Sequence, residues 1–239
     1  MPRQVPPTSE PERTDDQPCQ FDEPWFEALI EHYMLASLAH GRDHVFRVVA
    51  WCKRLVNEIR NADEGNGRPE IDEDALLAAA YLHDLGRIEK LDPLVDIVPD
   101  PDAPHAVRSA AFAGAILSGI LHYPSGLVDR IGRIILAHSF SGGKTPATIE
   151  EGILADADRL DALGGEGIVR AVAYSVEMHR TLRDTVDHLR DKILNLAGLM
   201  HTDAAKQIAA RKHDIVQLVY EDLLADLDLQ AKCSSISSK

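Results

Sequence analysis

The stretch that most constrains the fold is Ile71–Gly86, an Ala- and Leu-rich run that reads as one helix closing on the pair His83-Asp84. Asp72, Glu73 and Asp74 stand at its front, where carboxylates suit the positive end of the helix dipole. Gly86 follows the pair, where a helix commonly stops. Neutral imidazole and ionised carboxylate are both ligands for first-row metals, and neighbours on a helix diverge by about 100°. One ion can therefore use both only where other segments supply the remaining ligands. An isolated His-Asp pair is ordinarily a solvated helix end, so its meaning depends on the rest of the chain.

The other segments also read as helices. Glu23–Ala39 carries Trp25, Phe26, Leu29, Ile30 and Tyr33 on one side. From Val45 the stripe Val48, Val49, Cys52, Leu55, Val56, Ile59 marks a second helix, with Asp43 as its cap, His44 in its first turn and Arg47 one turn on. Asp92–Pro104 holds four prolines and is expected to be irregular. Further helices are expected from His105, over Pro124–His138, and over Glu150–Leu163, which ends at Gly164-Gly165. Beyond Gly167 long helices break near Gly198 and Thr202. No run alternates as a half-buried strand does, and no internal repeat stands out, so the class is all-α.

Composition agrees. The 239 residues are 45% hydrophobic but only 5% aromatic, which favours packed helices, and they suffice for a sizeable core. A formal charge of −14 argues against a polymeric nucleic acid as partner. It leaves an anionic small molecule open, because metal ions and a few arginines invert the field locally. The three cysteines, Cys19, Cys52 and Cys233, lie far apart and suggest reduced thiols in a cytosol. With no membrane-length apolar run and no signal-peptide pattern, a cytoplasmic location without membrane attachment is expected. The Pro-rich residues 1–22 and the Ser-rich residues 231–239 read as disordered tails around a single domain over 23–230.

Candidate ligands now stand at several helix ends: His44, His83-Asp84, His105 and His138, with Asp158 inside a later helix. The blocks HGRDHVFRVV, AAAYLHDLGR, ILAHSFSGG and EEGILADADRLDALGGEGIVR, with the later DHLRDKILNLAGLMHTDAAKQIAARKH, resemble the HD superfamily of metal-dependent phosphohydrolases, in its bacterial branch. The resemblance implies a helical bundle with additional C-terminal helices and a metal held by His44, His83, Asp84 and Asp158. Asp156 and Asp158 point about 200° apart on a helix. Asp158 fits the last-ligand position better, leaving Asp156 to support a ligand or a basic residue from behind.

A mixed His/Asp site with open positions suits Mn²⁺, Fe²⁺, Co²⁺ or Zn²⁺, with Mg²⁺ possible. Asp84 is then expected to orient the attacking water as well as ligate, with His138 and Arg47 beside it in catalysis. Arg87, Arg108, Lys144 and Arg159 are candidate phosphate contacts, although Ser141-Gly142-Gly143-Lys144 lacks the spacing of a Walker loop. His105 and His138 are candidates for a second ion, bridged by Asp84. The expected activity is hydrolysis of a small phosphate ester or anhydride, and the family makes a nucleotide the first choice. A di-iron oxygenase is the alternative, since some superfamily members hold two irons; a non-catalytic sensor or scaffold is a further one. The C-terminal helices are expected to form a lid or a homodimer face.

Overall fold

A run as apolar as Ala75–Leu82 leaves no face for water, and the computed structural model surrounds it. The structure describes residues 21–37, 39–62, 69–139 and 145–236, with side chains to 229. Helix α3 (Glu73–Leu82) is buried along its whole length after the first two residues. It packs against α1 (Glu23–Tyr33), α2 (Arg42–Ala62), α4 (His105–Gly119) and α5 (Ser125–His138). Four more helices follow: α6 (Ile149–Asp161), α7 (Gly164–Glu177), α8 (Leu182–Asp191) and α9 (Asp203–Ile236). Among the described residues there is no strand, so the chain is all-helical.

By packing, the chain divides into two compact units, one of Met1–Ser37 with Gly41–Asp158 and one of Leu38–His40 with Arg159–Lys239. In the first unit α1 and α3 start where the sequence supplies a side-chain cap. Asp22 accepts from the Trp25 amide ahead of α1, and the Asp72 carboxylate accepts from the Ala75 amide ahead of α3. Asp43 does not cap α2; the helix begins one residue earlier, at Arg42. Phe26 and Tyr81 stack with ring centroids 5.7 Å apart, and Phe112, Ile116 and Leu117 of α4 are buried in the same unit. Such close-packed apolar contact is the main source of stability in a helical unit. Helix α1 stops at Tyr33, before the Ala39 that the apolar stripe suggests.

In the second unit α7, α8, the 3-10 segment Ile193–Leu199 and α9 pack on one another. Gly164 takes a φ of 71°, which lets α7 start directly after α6 where the sequence suggests only an end. Thr181 and Asp184 form a reciprocal capping box on α8. Helix α9 runs on to Ile236, past the point at which a Ser-rich tail is expected to leave the fold. Most of the expected N-terminal tail, and Lys144 with the Ser141–Gly143 stretch before it, lie outside the described residues.

One ion pair in this unit is almost wholly buried. The Arg170 guanidinium donates to the Asp161 carboxylate at 2.7 Å and to the Ala39 carbonyl at 2.9 Å. Removing the acid strands the guanidinium away from water. Asp161→Ala is therefore expected to cost about 3–5 kcal/mol, read as a lower midpoint in chemical denaturation; equal midpoints would mean the pair contributes nothing.

Candidate metal centre

Because α3 is the central helix of its unit, its C-terminus opens among the ends of its neighbours. His83 is the residue that closes α3, and Asp84 follows it at φ −110° before a 3-10 turn, Leu85–Arg87. His44 comes from the first turn of α2, His105 begins α4 and His138 ends α5. His44, His83, Asp84 and His138 are buried to within 2% of complete.

Two ligand sets share Asp84. In the first, His44 Nε2 lies 3.4 Å from His83 Nε2, 3.6 Å from Asp84 Oδ2 and 3.3 Å from Asp158 Oδ1. In the second, His105 Nε2 lies 3.2 Å from His138 Nε2 and 3.6 Å from Asp84 Oδ1. His44, His83 and Asp84, and likewise Asp84, His105 and His138, bring their ligand atoms within 4.8 Å of one another. Asp158 stands at the mouth, with 31% of its side chain exposed. Asp156, two residues earlier on α6, is fully buried.

The proton positions follow from the backbone. His83 Nδ1 lies 2.7 Å from the Ala80 carbonyl and His138 Nδ1 lies 2.5 Å from the Ile135 carbonyl. A carbonyl only accepts, so each Nδ1 carries the proton and each Nε2 turns a lone pair inward. Burial lowers the His83 pKa despite nearby Asp84, and takes His138 down to about 4, with His83 adding to the effect. Burial and then Arg87 bring His105 to about 4 as well. These imidazoles are neutral at pH 7. Burial works to raise the carboxyls of Asp84 and Asp158, but it is overcome. Arg87, donating to it at 2.7 Å, keeps Asp84 ionised, and a hydrogen bond from His44 holds Asp158 well below the usual carboxylate range.

The donor set fits a divalent cation. Inward lone pairs on His83 and His138 converge with two ionised carboxylates, and the buried Asp84 Oδ1 finds no hydrogen bond. A cation satisfies such an array, whereas an unpartnered buried acceptor is costly. The mixed His/carboxylate composition is that of open transition-metal sites rather than closed thiolate ones.

The cationic candidates are placed differently from one another. Arg87 donates through Nε to Asp84 Oδ2 at 2.7 Å, so it first braces a carboxylate. Arg108 Nη2 donates to the Ile88 carbonyl at 2.9 Å, bracing the turn after Gly86. Arg47 is half-buried one turn beyond His44. Arg159 is buried and is the first residue that α6 contributes to the second unit.

Two further supports are only weakly marked in the sequence. Ser109 is buried, and its Oγ accepts the Gly86 amide at 2.8 Å, tying the turn that carries Asp84 to α4. The only signal for it is its position four residues after His105, on the same helix face. Gly86 matters for closeness rather than for helix ending: a Cβ there would sit 2.2 Å from the His105 carbonyl oxygen and 2.5 Å from the Ser109 nitrogen. Those are backbone atoms, which cannot swing aside. Gly86→Ala is expected to destabilise the fold by about 1–3 kcal/mol. It is also expected to weaken binding of added Mn²⁺, measured by calorimetry; unchanged unfolding and affinity would show that the contact is not tight.

A family model described as the HD domain matches residues 41–163, and the chain belongs to that family. An uncharacterised Bacillus subtilis protein, YpgQ, is 33% identical over 107 residues, which are 41% of this chain and 52% of that protein. The chain thus aligns with about half the length of this curated relative. Among solved structures, one from Lactobacillus plantarum superposes with a TM-score of 0.65 at 25% identity, covering 88% of this chain and 100% of the other. An HD-superfamily hydrolase from Bacillus thuringiensis gives 0.56 at 25%, covering 86% and 94%. The complex of YpgQ with ADP gives 0.62 at 24%, covering 86% and 97%.

Proposed function

We propose that this chain is a metal-dependent phosphohydrolase that cleaves a small phosphate ester or anhydride, with a nucleotide as the first candidate. The observation that carries the reading is a buried, ionised Asp84 flanked by two pairs of histidines, with a ring nitrogen of each within 4.8 Å of it. In this reading His44, His83, Asp84 and Asp158 hold one divalent ion, Mn²⁺, Fe²⁺, Co²⁺ or Zn²⁺, or less readily Mg²⁺. His105 and His138 offer a place for a second, with Asp84 between. An ion held there would supply Lewis acidity towards a phosphoryl oxygen and activate water near neutral pH.

The protein's own groups do the rest. Asp84 orients the water through its second oxygen, and Arg87 keeps that carboxylate ionised. His138, neutral and fixed by Ile135, presents Nε2 to the reacting group. Arg47, Arg87 and Arg108 supply positive charge on the side of the ligands, and Lys144 and Arg159 are further candidates from the sequence. The nucleotide choice draws support from the complex of the relative YpgQ with ADP. Among the described residues no helix is long and apolar enough to cross a membrane.

The test is elemental analysis of the purified protein, then phosphate release from a panel of nucleotides with Mn²⁺ restored. His83→Ala and Asp84→Ala are each expected to lose bound metal and phosphate release while circular dichroism stays helical. Metal content and turnover equal to wild type in the double variant would refute the reading. Fe²⁺-dependent oxygen consumption without phosphate release would favour the oxygenase instead.

The two aspartates of α6 separate by severity. Asp158→Ala is expected to abolish metal binding, because its Oδ1 lies 3.3 Å from His44 Nε2. Asp156→Ala is expected to weaken binding by about 10–100-fold, the usual range for a supporting residue. Calorimetric titration with Mn²⁺ reads both, and the reverse order would exchange their roles.

A further inference from the structure

Helix α9 is 34 residues long, and its stretch over residues 217–229 has little to rest on. Of residues 217–229 only Leu227 is buried. A helix in water draws most of its stability from a packed apolar face, so a stretch this bare needs cover. Its open face has a pattern. Arg211, Ile215, Leu218 and Asp222 are all exposed and follow one another at spacings of four, three and four, with Ala225 and Leu229 continuing the series. Ile215 is 48% exposed, Leu218 68% and Leu229 60%. Spacing of this kind is the seam of a two-helix coiled coil.

The charges at the two ends of the core select the occupant. Set parallel to a copy of itself, the seam would place Arg211 on Arg211 and Asp222 on Asp222. Set antiparallel about a twofold axis midway between Ile215 and Leu218, it places each Ile215 on the partner's Leu218 and each Arg211 on the partner's Asp222. The segment is therefore complementary to itself in one orientation only. A closed, isologous contact of this kind is the commonest way for identical chains to pair. We propose that α9 forms an antiparallel seam with α9 of a second copy of this chain, centred between Ile215 and Leu218. The proposal is independent of the hydrolase reading, since it uses no residue of the metal centre.

The test is sedimentation velocity of the full chain. The wild type is expected to sediment as two copies. Leu218→Glu, at a position open to water, is expected to give one copy with the same helical circular dichroism. Arg211→Glu alone and Asp222→Arg alone each set like charges together twice, so each is expected to weaken association by about tenfold or more. An equimolar mixture of the two variants is expected to recover wild-type association, because every Glu introduced at 211 then meets an Arg introduced at 222, and the native Arg211 and Asp222 meet each other. Residues 211 and 222 lie roughly 16 Å apart along one helix, too far to compensate within a chain. A wild type that stays single at every concentration would overturn the proposal. So would a dimer indifferent to Leu218→Glu, or a mixture no stronger than its components.

Discussion

Everything in the first unit converges on a carboxylate that has no business being dry. Asp84 is 1% exposed, and an ionised carboxyl taken out of water costs several kcal/mol unless charge and hydrogen bonds return it. Arg87 returns part of it from one turn away, and the histidines crowd the remainder. This arrangement needs the C-terminus of α3 to meet the start of α2, the start of α4 and the end of α5 within a few ångströms. An all-apolar α3 makes that meeting possible, because a helix with no wet face draws its neighbours around it on every side. The Gly86 approach to α4 and the Ser109 hydroxyl then fix the turn on which the carboxylate hangs.

Much of this was legible in the sequence because helix ends announce themselves. His44, His83, His105 and His138 sit within a turn of a helix terminus, and the stripes that locate those helices also locate the histidines. The all-helical class followed from the same stripes. Asp156 and Asp158 diverge as residues two apart on a helix do: Asp158 Oδ1 lies 3.3 Å from His44 Nε2, and Asp156 is fully buried. The supports were less legible. That His83 and His138 each anchor Nδ1 on the carbonyl three residues back depends on how a helix terminates, which stripes do not report. Arg87 and Arg108 read as candidate phosphate contacts, and the acceptors they also hold, Asp84 and the Ile88 carbonyl, are not visible in a sequence. The split of packing at Asp158 falls inside a helix, where no linker composition marks it.

The strongly acidic chain and the anionic substrate proposed for it are compatible because of where the charges are. Most carboxylates lie on open helix faces, where water and salt screen them within about 10 Å. Inside the centre the balance differs. The imidazoles are neutral, and Arg87 partly offsets Asp84, so a divalent ion arriving there would leave local charge near zero or positive. Net charge describes the surface a substrate drifts past, whereas the centre determines what is held.

The two oxygens of Asp84 face different histidine pairs. Oδ2 faces His44 at 3.6 Å and is already pulled by Arg87, while Oδ1 faces His105 at 3.6 Å. A cation on either side draws electron density through one delocalised carboxylate and weakens the other oxygen as a donor. The two pairs also touch each other, His83 to His138 at 5.0 Å between ring centroids. Rotation of Asp84 is the obvious way to relieve this, but Arg87 and the Gly86–Ser109 tie hold the turn in place. The two sets of donor atoms are thus built on one carboxylate whose turn is held from both sides.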